Sequence, residues 1–91
     1  MADLKETQNR HGQDVVAGNM AGLMGDFTPN AMTKVMALAA NPLTAQSFEV
    51  KDLGNNEAEI TYKGATERTI WSKWVQSGDK WQIDDLAERT A

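Results

Sequence analysis

Residues 74–83, Trp-Val-Gln-Ser-Gly-Asp-Lys-Trp-Gln-Ile, have the pattern of a β-hairpin. Trp81 and Ile83 alternate with polar residues, as in a strand with one buried face. Ser77-Gly78-Asp79 is a typical turn sequence, because glycine and aspartate tolerate the backbone angles of tight turns. The stretch therefore predicts two antiparallel strands joined by a short turn.

The same alternation continues upstream of this hairpin. Phe48 and Val50 alternate with polar residues, and Gly54-Asn55-Asn56 follows as a second turn signal. The next strand places alternate apolar residues on one face, namely Ala58, Ile60 and Tyr62. A third strand, from about Glu67 to Gln76, is apolar on both faces, with Ile70 and Trp74 on one face and Trp71 and Val75 on the other. An apolar outer face needs cover.

The N-terminal half has helical periodicity instead. A first helix is predicted from about Asp3 to Gly25, with four residues at helical spacing forming its buried stripe: Val16, Met20, Leu23 and Phe27. Thr28-Pro29 predicts the start of a second helix, with Thr28 as the N-cap. Its inward face comprises Met32, Val35, Met36 and Ala39, and Asn41-Pro42 ends it.

Helices followed by strands predict an α+β fold with an antiparallel sheet. We expect two N-terminal helices packed on a curved four-stranded sheet, in one domain covering residues 1–91. The inner face of the sheet is predicted to include these eight residues: Phe48, Val50, Ile60, Tyr62, Ile70, Trp74, Trp81 and Ile83.

Composition excludes several classes of function. The chain has no cysteine and one histidine, so disulfides, thiolate metal sites and transition-metal sites are not expected, and no cofactor is predicted. Its net charge of −4 and scattered basic residues argue against nucleic acid as a partner. No apolar run approaches the roughly 18 residues of a membrane span, and no signal-peptide pattern begins the chain, so a cytoplasmic location is expected.

The order of helix, helix and antiparallel meander, ending in Trp74 to Ile83, resembles the nuclear transport factor 2-like superfamily, whose members end in a W…G.W.I pattern. Val16-Ala17-Gly18-Asn19-Met20, followed by Phe27, is similar to the first-helix signature of that superfamily. It includes ketosteroid isomerases and SnoaL-like polyketide cyclases. The resemblance implies a cystatin-like cone with a pocket between helices and sheet. This chain is shorter than typical members, which implies a smaller or more open pocket.

The resemblance also implies candidate site residues. His11 lies where ketosteroid isomerases carry an oxyanion-hole tyrosine, and Asp14, three residues later, is predicted to orient its ring. Ser72 falls near the second oxyanion donor of those enzymes, which is an aspartate. The general-base aspartate has no counterpart here. Ketosteroid isomerase turnover is therefore not expected. The alternative interpretation of His11 is a solvated or core-edge histidine.

Asp84 and Asp85 are adjacent on the last predicted strand, so we expect their side chains on opposite faces. At most one could then enter a pocket. Asp84 is the candidate general acid or base, in the manner of SnoaL-like cyclases. The alternative is that both aspartates are solvated.

The remaining candidates are apolar or aromatic. Tyr62, Trp74 and Trp81 could line a ligand cavity with polar handles, and Met20 could form an adaptable wall. The alternative, which the general burial of apolar residues favours, is that all four are ordinary core residues.

Three functions remain open at this point: a small-ligand-binding protein, a non-catalytic homodimeric interaction module with a closed or vestigial pocket, and an isomerase or cyclase, which ranks last. A cavity above about 300 Å³ that reaches His11 would favour the first. We also expect a homodimer through the outer sheet face around Trp71 and Val75, with Glu59, Thr61 and Gln82 as its rim. The alternative is that residues 86–91, or those before Thr7, cover this patch within one chain.

Overall fold

A computed structural model describes residues 3–39 and 44–89. Three α-helices come first: α1 (Leu4–Ala17), α2 (Met20–Met24) and α3 (Pro29–Ala39). Four strands follow: β1 (Ser47–Gly54), β2 (Glu57–Lys63), β3 (Glu67–Ser77) and β4 (Lys80–Arg89). The strands form one antiparallel sheet in the order β1-β2-β3-β4. The predicted α+β class is confirmed. None of the described helices is both long and apolar enough to cross a membrane.

The prediction of one continuous helix over residues 3–25 is wrong, because the chain breaks at Gly18. This residue has a φ of 71°, in the left-handed region that suits glycine. The amide of Asn19 donates to the Asp14 carbonyl, which closes α1, and the Asn19 side chain accepts from Gly22 to cap α2. Two shorter helices therefore replace the predicted one.

The buried face of α1 is polar rather than apolar. It consists of Thr7, Gln8, His11 and Gly12, whereas Val16, Leu23 and Phe27 are only half-buried. A β-carbon on Gly12 would lie 2.4 Å from the Phe48 ring, so only glycine permits this approach of α1 to β1. The Met20 side chain lies outside the described part of the structure.

Helix α3 begins as predicted. The Thr28 hydroxyl accepts from the Ala31 amide at 3.3 Å, and Pro29 is the first helical residue. Ala31 and Val35 pack with the core of the sheet. Met36 is 72% exposed, so the prediction that it faces inward is wrong. The Ala39 side chain and Asn41-Pro42 lie outside the described residues.

Both predicted hairpin turns are present. Asn55 and Asn56 have φ values of 53° and 61°, and Gly78 forms the turn before β4. In register, Phe48 lies opposite Tyr62, and Ile60 lies opposite both Val50 and Ile70. These residues share the inner face with Trp74 and Ile83, which are also paired.

A bulge in β4 changes the direction of its acidic pair. Lys73 pairs with Asp85 while Trp74 pairs with Ile83, so Asp84 is the extra residue. The Thr28 hydroxyl donates to Asp84 at 2.8 Å, and the Lys34 ammonium pairs with Asp85. The prediction that these aspartates point to opposite faces is therefore wrong, since both carboxylates bond to groups at or within α3.

The outer face of β3 is covered in part by its own chain. The indole N–H of Trp71 donates to Glu57 at 2.9 Å, and the Arg89 guanidinium lies 5.4 Å from the ring centroid of Trp71. Trp71 and Val75 remain half-buried. Gln82, predicted for the rim of this patch, instead donates to the Gly25 carbonyl at 3.1 Å.

Candidate functional site

A cavity of about 100 Å³ lies between the helices and the inner face of the sheet. Most of its lining is apolar and comes from α1, α3, the segment between α2 and α3, and three strands: Val15, Phe27, Val35, Ile60, Ile70, Ile83 and Leu86. Four lining residues carry polar side-chain atoms, namely His11, Tyr62, Arg68 and Ser72. Apolar walls with a few polar groups are typical of ligand sites.

The segment between α2 and α3 is fixed against β4. The Ile83 amide donates to the Asp26 carbonyl at 2.7 Å, and the Thr28 amide donates to the Ile83 carbonyl at 3.0 Å. Phe27 forms an isolated parallel bridge with Ile83. This pairing fixes the backbone position of Asp26.

Asp26 binds two consecutive residues of α1. Its carboxylate lies 2.8 Å from His11 Nδ1 and also accepts from the Arg10 guanidinium. Asp26 is 4% exposed and His11 is 5% exposed, whereas Arg10 extends to the surface. The buried carboxylate thereby joins α1 to the segment that precedes α3.

The pKa of Asp26 lies below its ordinary value of 3.8. Burial alone would raise this pKa, because a charged carboxylate loses hydration in the interior. Hydrogen bonds from His11 and Arg10, together with the coulombic effects of these two groups, outweigh that effect. Asp26 is therefore ionised at neutral pH, and the His11 nitrogen that faces it carries a hydrogen.

The orientation of the His11 ring is fixed on several sides. Its edge-to-face contacts with Phe27 and Trp74 have centroid separations of 5.6 Å each. With Nδ1 bound to Asp26, only Nε2 remains for the cavity. No described residue forms a hydrogen bond with Nε2. In the neutral ring this nitrogen is a hydrogen-bond acceptor.

Tyr62 supplies a second polar group to the cavity. The residue is 2% exposed, and no described residue forms a hydrogen bond with its hydroxyl. No fully enclosed side-chain nitrogen or oxygen lacks a partner among the described residues, so this hydroxyl keeps some accessible surface, and Tyr62 lines the cavity. Burial, and secondly the charge of Asp26, raises the pKa of Tyr62. The hydroxyl therefore stays protonated and can donate.

Ser72, by contrast, is fully used by the protein. Its hydroxyl donates to the Ala58 carbonyl at 3.2 Å and accepts from the indole N–H of Trp74 at 2.9 Å. Trp74 is completely buried and belongs to the core beside the cavity. We assign both residues a supporting position, since neither offers a free polar group.

The other predicted site residues lie apart from the cavity. Asp14 bonds to Arg10 at 2.7 Å, so the prediction that it orients His11 is corrected: Asp26 holds the ring. Asp84 supports the N-cap of α3 through Thr28. Trp81 is half-buried against the core.

Asp26 was missing from the sequence-based candidates. The prediction ended the first helix at Gly25, so Asp26 became a connecting residue without a partner. The available signal was a single charged residue between apolar Met24 and Phe27, directly before the N-cap of a helix. That signal is weak, because the contact with His11 depends on the pairing of residues 26–28 with β4.

A second concavity of about 390 Å³ lies between the start of α1 and β1. Most of its lining residues have polar side chains, including Asp3, Lys5, Gln8 and Asp52. It contains no buried pair comparable to His11 and Asp26. Within residues 3–39 and 44–89, no group of three His, Cys, Asp or Glu side chains is arranged to hold a metal ion.

The cavity at His11 is smaller than the roughly 300 Å³ that would favour a ligand-binding protein, so its volume alone does not favour that function over the interaction module. Its volume limits a fully enclosed ligand to few atoms. An engineered apolar cavity of about 150 Å³ binds benzene. Compared with models of known protein families, with curated proteins and with solved structures, this chain matches none of them.

Proposed function

We propose that this protein binds a small, mostly apolar molecule in the cavity at His11, within a short nuclear transport factor 2-like cone. The observation that carries the proposal is an apolar cavity reaching an imidazole whose other nitrogen is fixed by a buried carboxylate. The element order of helices followed by an antiparallel meander supports the family assignment.

The volume sets the size of the ligand. A cavity of about 100 Å³ is smaller than the cavity of about 150 Å³ that binds benzene, so we expect the enclosed part of the ligand to be no larger than a ring of five or six heavy atoms. Anions are disfavoured, because an apolar cavity does not replace the hydration of a charged group. Asp26 is engaged by His11 and Arg10, so its role is to position His11.

Ligand binding is tested by NMR titration with five-membered ring compounds, monitored through the indole N–H resonance of Trp74. We expect saturable shifts for wild-type protein and their loss in Val35→Phe, whose added ring fills the cavity. Val75→Phe is the matched control, because it makes the same change on the outer sheet face and should bind normally. Equal shifts in both variants would contradict the proposal.

A second proposal is a homodimer through the outer sheet face. Trp71 and Val75 are half-buried, which leaves apolar surface for a second copy. Two acidic and two basic side chains lie on the same face, so the patch has no large net charge to oppose association: Glu57, Glu59, Lys73 and Arg89. Arg89 already covers part of Trp71 within the chain, which is the competing arrangement.

Sedimentation equilibrium at micromolar concentration separates these arrangements. If the protein is a dimer, we expect a species with twice the chain mass of 10.0 kDa. Trp71→Lys should convert it to a folded monomer, because a charge replaces the apolar contact. Ala65→Lys, in the turn between β2 and β3, is the control and should remain dimeric. A monomeric wild-type protein refutes the dimer.

A further inference from the structure

Two polar groups in the cavity have no partner in the described part of the chain. They are Nε2 of His11 and the hydroxyl of Tyr62, and both residues are more than nine-tenths buried. Buried polar groups are normally hydrogen-bonded, so two such groups in one apolar cavity indicate what they would bind.

We propose that the ligand is a neutral alcohol whose hydroxyl donates to His11 Nε2 and accepts a hydrogen bond from Tyr62. The inference rests on the proposed function and specifies its ligand class.

The directions of these hydrogen bonds follow from the surroundings of the two residues. Ionised Asp26 requires a hydrogen on Nδ1 of His11, so in a neutral ring Nε2 is the acceptor, and this is the form of the ring that the proposal requires. Tyr62 keeps its proton and donates. An alcohol hydroxyl has what both groups require, because it carries one donor and two lone pairs, and both residues line the same cavity.

Other neutral ligands satisfy fewer of these groups. A ketone accepts from Tyr62 but offers no hydrogen to His11. A hydrocarbon fills the space and leaves both groups unpaired. Sites built to bond a ligand hydroxyl discriminate strongly against analogues without one.

Cyclopentanol, cyclopentanone and cyclopentane form a matched series for the test, since they share one ring and differ in hydrogen bonding. NMR titration of the full chain should give the affinity order alcohol, ketone, hydrocarbon. The affinity should fall about five- to tenfold from alcohol to ketone and again from ketone to hydrocarbon, which is the usual net effect of one hydrogen bond. Long-range ¹H–¹⁵N spectra should also show that Nε2 of His11 carries no hydrogen in the free protein. Addition of the alcohol should shift the ¹⁵N resonance of Nε2.

Tyr62→Phe removes the donor and keeps the ring. It should lower the affinities for cyclopentanol and cyclopentanone about five- to tenfold and leave the affinity for cyclopentane unchanged. Thr61→Val, on the opposite face of β2, is the matched control, because it removes a hydroxyl outside the cavity and should leave all three affinities unchanged.

The outcomes separate this inference from the proposed function. Equal affinities for alcohol and hydrocarbon overturn the ligand class but leave cavity binding in place. Cyclopentanone binding as tightly as cyclopentanol overturns the predicted donation to His11. Absence of binding by all three compounds overturns both proposals.

Discussion

Replacing Trp74 by alanine is expected to leave the protein largely unfolded. The side chain is completely buried, and its indole N–H donates to Ser72 at 2.9 Å. Truncation of a buried tryptophan costs about 3–5 kcal/mol. Small domains commonly have a free energy of unfolding of only about 5–10 kcal/mol, so this loss removes much of the stability.

Urea denaturation followed by circular dichroism measures the effect. Trp71→Ala is the matched control, because Trp71 is half-buried on the outer face of the same strand. Its replacement should lower the free energy of unfolding far less. Trp81 is also half-buried but packs against the core, so the loss of stability in Trp81→Ala should fall between the two. Similar midpoints for Trp74→Ala and Trp71→Ala would show that the inner face is not the core.

Asp26→Asn is expected to have the second largest effect. The change removes the buried negative charge that lies beside His11 and the partly exposed Arg10, and breaking a pair with a buried charged member costs about 3 kcal/mol. Asp14→Asn is the control: it also removes a carboxylate bound to Arg10, but a pair with a solvent-exposed arginine contributes about 0.5 kcal/mol.

The effect of Asp26→Asn should depend on pH in a defined direction. The folded-state pKa of Asp26 is lowered, so its contribution to stability is present above the ordinary value of 3.8 and is lost as pH falls through the lowered pKa. The difference in unfolding free energy between wild type and Asp26→Asn should therefore shrink below about pH 4. A difference that stays constant from pH 7 to pH 3 would contradict an ionised Asp26.

The sheet was predictable because its signals are local. Alternating apolar residues fix which side of each strand is buried, and the turns at Asn55-Asn56 and Gly78 carry residues suited to positive φ. The start of α3 was predictable for the same reason, since Thr28 and Pro29 combine a cap with a preferred first residue.

The features that failed depend on contacts between distant residues. The polar buried face of α1 arises because Gly12 approaches Phe48 and His11 meets Asp26. The direction of Asp84 depends on a bulge opposite Trp74, which no local pattern indicates. His11 was identified through family resemblance, but its carboxylate partner could not be found without the pairing of residues 26–28 with β4.

The most direct test of the account is the position of bound cyclopentanol in the wild-type protein. Isotope-filtered NMR detects ligand protons close to protein side chains. We predict nuclear Overhauser effects to Val15, Val35, Ile60 and Tyr62, which line the cavity at His11. Effects to Leu4 and Val50 alone would place the ligand in the concavity between α1 and β1 and would contradict the account.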